Sequence, residues 1–458
     1  MNAMHRPLLI FFRPGLPCVL SILLAGCVAN RAYRLGGLDP ASPDAQPPDQ
    51  KPYTESHDAG TGRAYDISFV EFDDKGDFWD RRQLGKTARH IMGSPDPVLL
   101  VIFIHGWHHN AADRKPGGKN PGDVETFRCL LSQLANSEST RHMRVHGVYL
   151  GWRGRLVQGS LDYLTFLGRK AAATRIAGTP VTETIFELIR QARRNSPSQA
   201  KTVVIGHSFG ALVLEKAMAQ AVAGSILSHD AETPGRNFNA PADLILLVNS
   251  AAESLYAKEL TDMFDRIGHR SHVNAKRPLL VSITSETDSG TRTWFPFGTF
   301  LPNLFAHRPY RWDKRFNDLS AGTDQNKYLT TTPGHLKPLF THEIVPLGEL
   351  PPRRAARPDL RNPATCIEDN GAFEKNLSHP RGLTFAISNS EAPEQLEWWR
   401  FQPLPGRKQR PYWIMHVPKA IIHGHTPIFT AEGRALMAAI FRITNTEEGP
   451  RQMSLSSP

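Results

Sequence analysis

The sequence predicts an α/β protein whose mostly parallel central sheet carries helices on both faces. Two observations carry this reading. Short, continuous apolar runs recur along the chain, among them Val98-Leu99-Leu100-Val101-Ile102-Phe103-Ile104 and Leu244-Ile245-Leu246-Leu247-Val248. Such runs suit strands buried on both faces, as in parallel sheets, better than strands with one wet face. Segments with apolar residues at helical spacing separate these runs, and strand–helix alternation over this length describes a sheet covered on both sides. Functional residues in such a sheet gather beyond the carboxyl ends of the strands, which directs the search for a site.

The first 26 residues read as a leader. Residues 1–13 carry His5, Arg6 and Arg13 without an acid, and the apolar stretch 16–24 is far too short to cross a bilayer. It ends in Leu24-Ala25-Gly26-Cys27, small residues before a cysteine. This segment resembles the lipobox of bacterial lipoproteins. The resemblance implies cleavage before Cys27, lipidation of Cys27, and residence on a membrane of the cell envelope. Residues 27–62 are then expected to form a flexible tether, since 36–52 is rich in proline, glycine and aspartate and poor in apolar side chains.

Residues 65–72 read as a strand, turned by Asp73-Asp74-Lys75-Gly76-Asp77, and residues 98–104 as a buried strand ending in His105-Gly106-Trp107-His108-His109-Asn110. A helix is expected over 124–134, a strand over 145–149, and a helix over 181–193 that turns Ile185, Leu188 and Ile189 inward. The strand 202–205 leads into a helix. Strands at 244–248 and 279–283 follow, separated by a helix at 255–267. Residues 301–410 break the rhythm with proline, arginine and polar residues, and are expected to form a long irregular insertion positioned to cap the site. The sheet resumes at 412–417, a helix closes it at 429–441, and 446–458 is a polar tail. The core is thus expected in two parts, 63–300 and 411–445, around the insertion.

Composition narrows the function. A 458-residue chain with 40% hydrophobic and 21% charged residues has ample material for a globular core. Its formal charge of +10 is spread along the chain, with no basic run interleaved with aromatics, so no nucleic-acid face is expected. Of the four cysteines, Cys18 would leave with the leader and Cys27 would carry lipid. Cys129 lies among Phe127, Leu130, Leu131 and Leu134 and reads as a core residue, while Cys366 lies in a proline-rich stretch. A Cys129–Cys366 disulfide suits an oxidising compartment, though the spacing does not demand it. His335 and His342 sit in a turn-like setting without a carboxylate–histidine spacing, so no metal centre is expected. No organic cofactor is implied either.

Between the strand 202–205 and its helix lies Gly206-His207-Ser208-Phe209-Gly210, an instance of G-x-S-x-G. A serine on a sharp strand-to-helix turn needs small neighbours, and glycines two residues either side supply them. The turn aims the serine Oγ into the open, with the N–H of Phe209 directed at an oxyanion formed there. In this setting the chain resembles the α/β-hydrolase family of serine hydrolases, which implies an α/β-hydrolase fold and a nucleophile, acid and base in that chain order. The segment 285–297, with its acid followed by Trp294-Phe295-Pro296-Phe297, is similar to uncharacterised bacterial α/β-hydrolase lipoproteins. The family pattern makes Ser208 the nucleophile. It favours Asp288, after strand 279–283, as the acid, with Glu286 and Glu253 as alternatives. It favours His425, on the loop before the last helix, as the base, with His423 as the alternative. His416 falls inside a strand and reads as a core histidine. His105-Gly106-Trp107 resembles the family's HG-x turn, which implies the N–H of Trp107 as a second oxyanion donor beside that of Phe209.

These readings combine into a lipid-anchored serine hydrolase of the cell envelope that cleaves carboxylic esters through an acyl-enzyme. Its partners would be an ester-type small molecule or lipid and the membrane holding its anchor. An acyltransferase or amidase with the same triad, or a non-catalytic lipoprotein binding an envelope partner, are the alternatives.

Overall fold

The computed structural model describes residues 28–38, 50–59, 63–113, 122–157, 162, 165–232, 240–267, 277–296, 299, 325–348, 370–378, 383–388, 395–426 and 428–445. The leader, Cys27, Cys366, much of the 301–410 insertion and the 446–458 tail lie outside these residues.

Eight strands form one sheet. They are β1 (Thr54–Asp58), β2 (Ala64–Glu71), β3 (Val98–Ile104), β4 (Arg144–Gly151), β5 (Lys201–His207), β6 (Leu244–Val248), β7 (Leu280–Ser285) and, after a smaller sheet, β11 (Tyr412–Val417). The order is β1-β2-β4-β3-β5-β6-β7-β11. Only β1 runs antiparallel to its neighbour; every other pairing is parallel. The protein is therefore a mixed α/β structure on a mostly parallel eight-stranded sheet.

Both faces of the sheet are covered because both faces of each strand are apolar. Along β3, Leu100, Ile102 and Ile104 enter one core, while Leu99, Val101 and Phe103 enter the other. On the first side lie α1 (Arg82–Met92), α3 (Phe166–Ile176), α4 (Thr179–Asn195), α5 (Phe209–Glu232) and α6 (Ser254–Ile267). On the second lie α2 (Asp123–Asn136) and α9 (Ala431–Asn445). Removing a side chain such as Phe103, fully buried on β3, would cost about 3–5 kcal/mol. Cys129 on α2 is disulfide-bonded, and the three other cysteines lie outside the described residues.

Two expectations are corrected. The first is the tether. Residues 28–38 and 50–59 pack against the sheet, because they carry charges that meet complementary buried groups. The Arg34 side chain is fully buried, donating to Glu55, to Asp113 at 2.7 Å and to the Ala111 carbonyl at 2.9 Å. The backbone N–H groups of Tyr33 and Arg34 donate to the Glu71 carboxylate. Burial raises Glu71, and these bonds offset only part of that, leaving it at about 7. Burial would also raise Glu55, but His57, Arg128 and Arg34 outweigh it and hold that carboxyl down to about 2.

The second correction concerns the insertion. Its described parts include α7 (Gln325–Thr330), α8 (Asn370–Ser378) and the strands β8 (His342–Pro346), β9 (Thr384–Ser388) and β10 (Leu396–Pro403). The strands form an antiparallel sheet in the order β8-β10-β9. Trp399 and Phe401 on β10 and Phe385 on β9 join the second core, so this sheet is part of the body of the protein. Thr341 fastens it to the main sheet, its N–H donating to the Ile414 carbonyl at 2.9 Å.

Arg34→Ala should lower the unfolding free energy in urea by about 3 kcal/mol, because two carboxylates lose a fully buried counter-charge. A segment that behaved as a free tether would leave stability unchanged.

Candidate active site

The site forms where β3, β5, β6, β7 and β11 reach their carboxyl ends. β5 stops at His207, and α5 starts at Phe209, leaving Ser208 alone in the turn with φ +56°. The flanking glycines are required by contact. A Cβ on Gly206 would lie 2.6 Å from Ala211 Cα, and one on Gly210 would lie 2.1 Å from the Ile104 carbonyl oxygen. Helix α5 can begin this tightly against β3 only with no side chain at either position.

Three residues sought in the sequence converge here. His425 Nε2 lies 2.7 Å from Ser208 Oγ, and its Nδ1 lies 2.8 Å from Asp288 Oδ1. Nδ1–H donates to the carboxylate, which leaves the Nε2 lone pair to accept from the serine hydroxyl. Ser208 is 4% exposed and Asp288 0%, while the His425 side chain retains 26% exposure. The pair is thus shielded and the imidazole is reachable.

Asp288 also receives the Thr291 N–H at 3.1 Å and the Thr291 hydroxyl. Burial alone would raise its carboxyl. The charge of His425 and the bonds from His425 and Thr291 reverse this and hold it at about 2. It therefore stays ionised. Gly290 lies against the imidazole, where a Cβ would come 2.9 Å from His425 Nδ1.

The alternatives have other duties. Glu286 accepts from the Lys419 N–H at 3.0 Å, and Glu253 pairs with Lys170 at 2.7 Å. His423 is exposed, and no bond joins it to Ser208. His416, expected in the core, lies within β11 but is only partly buried, packing against Phe340 and His335.

The loop 418–425 is pinned by residues that the sequence did not single out. Asn249 follows β6 with φ +47° and is fully buried. Its Nδ2 donates to the carbonyls of His425 (2.9 Å) and Gly424 (3.2 Å), and its Oδ1 accepts the Ser285 N–H at 2.9 Å. His207 Nε2 donates to the same His425 carbonyl at 2.9 Å. On the far side of Asp288, His335 Nε2 bonds Thr291 Oγ1 at 2.9 Å. Since that hydroxyl donates to Asp288, His335 donates to it, extending the chain to Ser208–His425–Asp288–Thr291–His335. Asn249 left no signal in the sequence beyond its place after an apolar strand.

The turn after β3 closes the other side. A Cβ on Gly106 would lie 2.7 Å from Ser208 Cβ, so only glycine lets this backbone approach the serine. His105 beneath it is fully buried, its Nδ1 donating to the Gly106 carbonyl at 2.9 Å and its Nε2 accepting the Trp152 N–H at 3.0 Å. Burial pushes it down to about 3, so it remains neutral. Trp107 packs on Phe166 and Phe209, and His108 has φ +74°. Among the described residues, His108, Ser208 and Asn249 are the non-glycine residues with positive φ, and all three stand at this site.

Against the expectation of no metal centre, one cluster among the described residues has donor atoms within 4.8 Å of one another: Asp66, His90 and His146. Asp66 and His146 lie near the amino ends of β2 and β4, away from Ser208. Arg144 holds both oxygens of Asp66 at 2.7 Å, so the cluster, which the exposed His90 closes on its outer side, already has its positive charge.

No family model and no curated protein matches the chain. A solved structure of Trichoderma reesei cutinase in complex with a C11Y4 phosphonate inhibitor is similar at 14% identity, over 37% of this chain and 67% of the cutinase, with a TM-score of 0.17. A likeness of that size assigns neither a fold nor a substrate.

The depressed Asp288 carboxyl makes a sign prediction. A folded value near 2 against 3.8 for the free group contributes stability above pH 3.8 that is lost as pH falls toward 2. The urea stability of Asp288→Asn should fall below wild type by about 2 kcal/mol at pH 6, and the gap should close between pH 4 and 2. A gap that stays constant across that range would contradict the charge assignment.

Proposed function

We propose that this chain is a serine hydrolase of the α/β-hydrolase type, cleaving carboxylic esters through an acyl-enzyme. The observation that carries the reading is the single imidazole of His425 bridging Ser208 Oγ at 2.7 Å and Asp288 Oδ1 at 2.8 Å. The order of nucleophile, acid and base on β5, β7 and the loop after β11 supports the fold assignment.

In this reading the Ser208 Oγ attacks the ester carbonyl as His425 Nε2 takes its proton. Asp288 holds the Nδ1–H tautomer and stabilises the imidazolium that results. The oxyanion falls to the backbone N–H groups of Phe209 and Trp107. Phe209 opens α5, so its N–H has no acceptor within the helix. Gly106 brings the second turn against the serine. His425 then returns its proton to the alkoxide as the alcohol leaves, and activates the water that releases the acid. The proposal includes lipidation of Cys27 and location on a membrane of the cell envelope, following the lipobox resemblance.

Hydrolysis of short nitrophenyl esters tests it. Ser208→Ala and His425→Ala should each lower kcat by about 10⁴-fold or more, and Asp288→Asn by about 10⁴-fold. Asn249→Ala should lower kcat by roughly 10- to 100-fold with little change in KM, since it loosens the base and leaves the ester contacts alone. Turnover by Ser208→Ala equal to wild type would exclude the mechanism.

A further inference from the structure

The residue after Cys27 is fixed to the body of the protein. Val28, the next residue, donates its N–H to the Leu156 carbonyl at 2.9 Å and accepts at its own carbonyl from Arg153 at 3.2 Å. Val28, which directly follows Cys27 in the sequence, is thus held on the loop that follows β4. That loop is a wall of the site. Leu156 N–H bonds Asp162, whose carboxylate pairs with His108 at 3.0 Å, two residues after Gly106. Val28 is thus fixed beside the turn that follows β3, where the Gly154 carbonyl of the same loop accepts the His108 N–H at 3.2 Å.

The same side of the molecule carries exposed apolar side chains. Leu167 and Trp294 are each 44% exposed, and with Met92 and Leu347 make up the exposed large hydrophobics among the described residues. Leu167 lies on α3 beside Phe166, which packs on Phe209 at 5.2 Å. Trp294 ends the π-helical turn 290–294, whose first residue, Gly290, lies against the His425 imidazole. Lys170 of α3 sits 4.4 Å over the ring of the fully buried Phe295, which packs the two elements together. The exposed Arg292 adds positive charge, within a chain of formal charge +10, while Arg155 is already paired with Asp162 at 3.6 Å.

We infer that the rim of the Ser208 cleft, led by Leu167 and Trp294, docks on an anionic phospholipid surface, so that substrate enters from the membrane that holds the anchor. Amphipathic contacts of this kind combine buried apolar area with attraction of arginines to anionic headgroups. A lipid attached one residue from the docked backbone would keep the rim at the surface, because an intramolecular anchor without a spacer gives the second contact a high effective concentration. The inference rests on the hydrolase and anchor readings above for its meaning, but the docking surface is measurable without either.

The test uses the chain from residue 27 onward, which keeps every described residue, with Cys27→Ser so that no lipid is attached. Co-sedimentation with vesicles of phosphatidylcholine and phosphatidylglycerol should show binding that weakens with salt and with removal of phosphatidylglycerol. A Leu167→Ser/Trp294→Ser variant should partition about tenfold or more weakly, while turning over a soluble nitrophenyl ester within about twofold of the parent chain. A parent chain that ignores the vesicles, or a double variant that binds them equally well, would overturn the inference. So would a parent dimer in vesicle-free sedimentation that the double variant dissociates, since the rim would then belong to a second copy. Loss of soluble-ester turnover in every chain, with vesicle binding intact, would remove the hydrolase reading and leave the docking surface standing.

Discussion

Everything at the cleft depends on one imidazole held between a serine and a buried carboxylate. His425 can meet Ser208 and Asp288 at once only if three strand ends agree in position to a few tenths of an ångström. The sheet supplies that agreement. β5, β6, β7 and β11 are successive neighbours in a parallel ladder, so their carboxyl ends emerge side by side. The finer adjustment is local. Ser208 and Asn249 take positive φ where the chain leaves β5 and β6, and their side chains then reach the His425 loop from below. Such conformations cost of order 1–3 kcal/mol each, which the packed sheet around them can bear.

The electrostatics are arranged around the same contact. Histidines crowd the cleft, yet burial depresses several of them: His105 to about 3, and His207 and His335 to about 4. Each is spent on a structural bond, to the Gly106 carbonyl, the His425 carbonyl and the Thr291 hydroxyl respectively. They enter the site as neutral donors. Asp288 is the opposite case, a fully buried carboxylate kept ionised by the charge of His425 and two bonds from Thr291. Neutral histidines around one fixed carboxylate favour the positive charge on His425, the imidazolium that the carboxylate in turn stabilises.

Much of this was legible in the sequence because it is local. The runs at 98–104 and 244–248 correspond residue for residue to β3 and β6. G-x-S-x-G announced its turn through steric need at Gly206 and Gly210. The order of Ser208, Asp288 and His425 followed from the family pattern that the chain resembles, laid over the expected strand ends. What escaped the reading depends on contacts far apart in the chain. Arg34 looks like a solvated charge until Glu55, Glu71 and Asp113 surround it. Asn249 has no motif, since its role exists only once Gly424, His425 and Ser285 arrive. The β10 strand was hidden differently. In Leu396-Glu397-Trp398-Trp399-Arg400-Phe401 the buried residues Trp399 and Phe401 alternate with an exposed Arg400, a period-two signal masked by the polar composition around it.

The central claim is that His425 and Asp288 make Ser208 a nucleophile. Mapping a fluorophosphonate adduct by peptide mass spectrometry addresses it without presuming a substrate. The account predicts one adduct per chain, on Ser208, formed quickly in the wild type and lost in His425→Ala while the fold is retained. Folded wild-type protein that gains no adduct, or carries it on another residue, would contradict it.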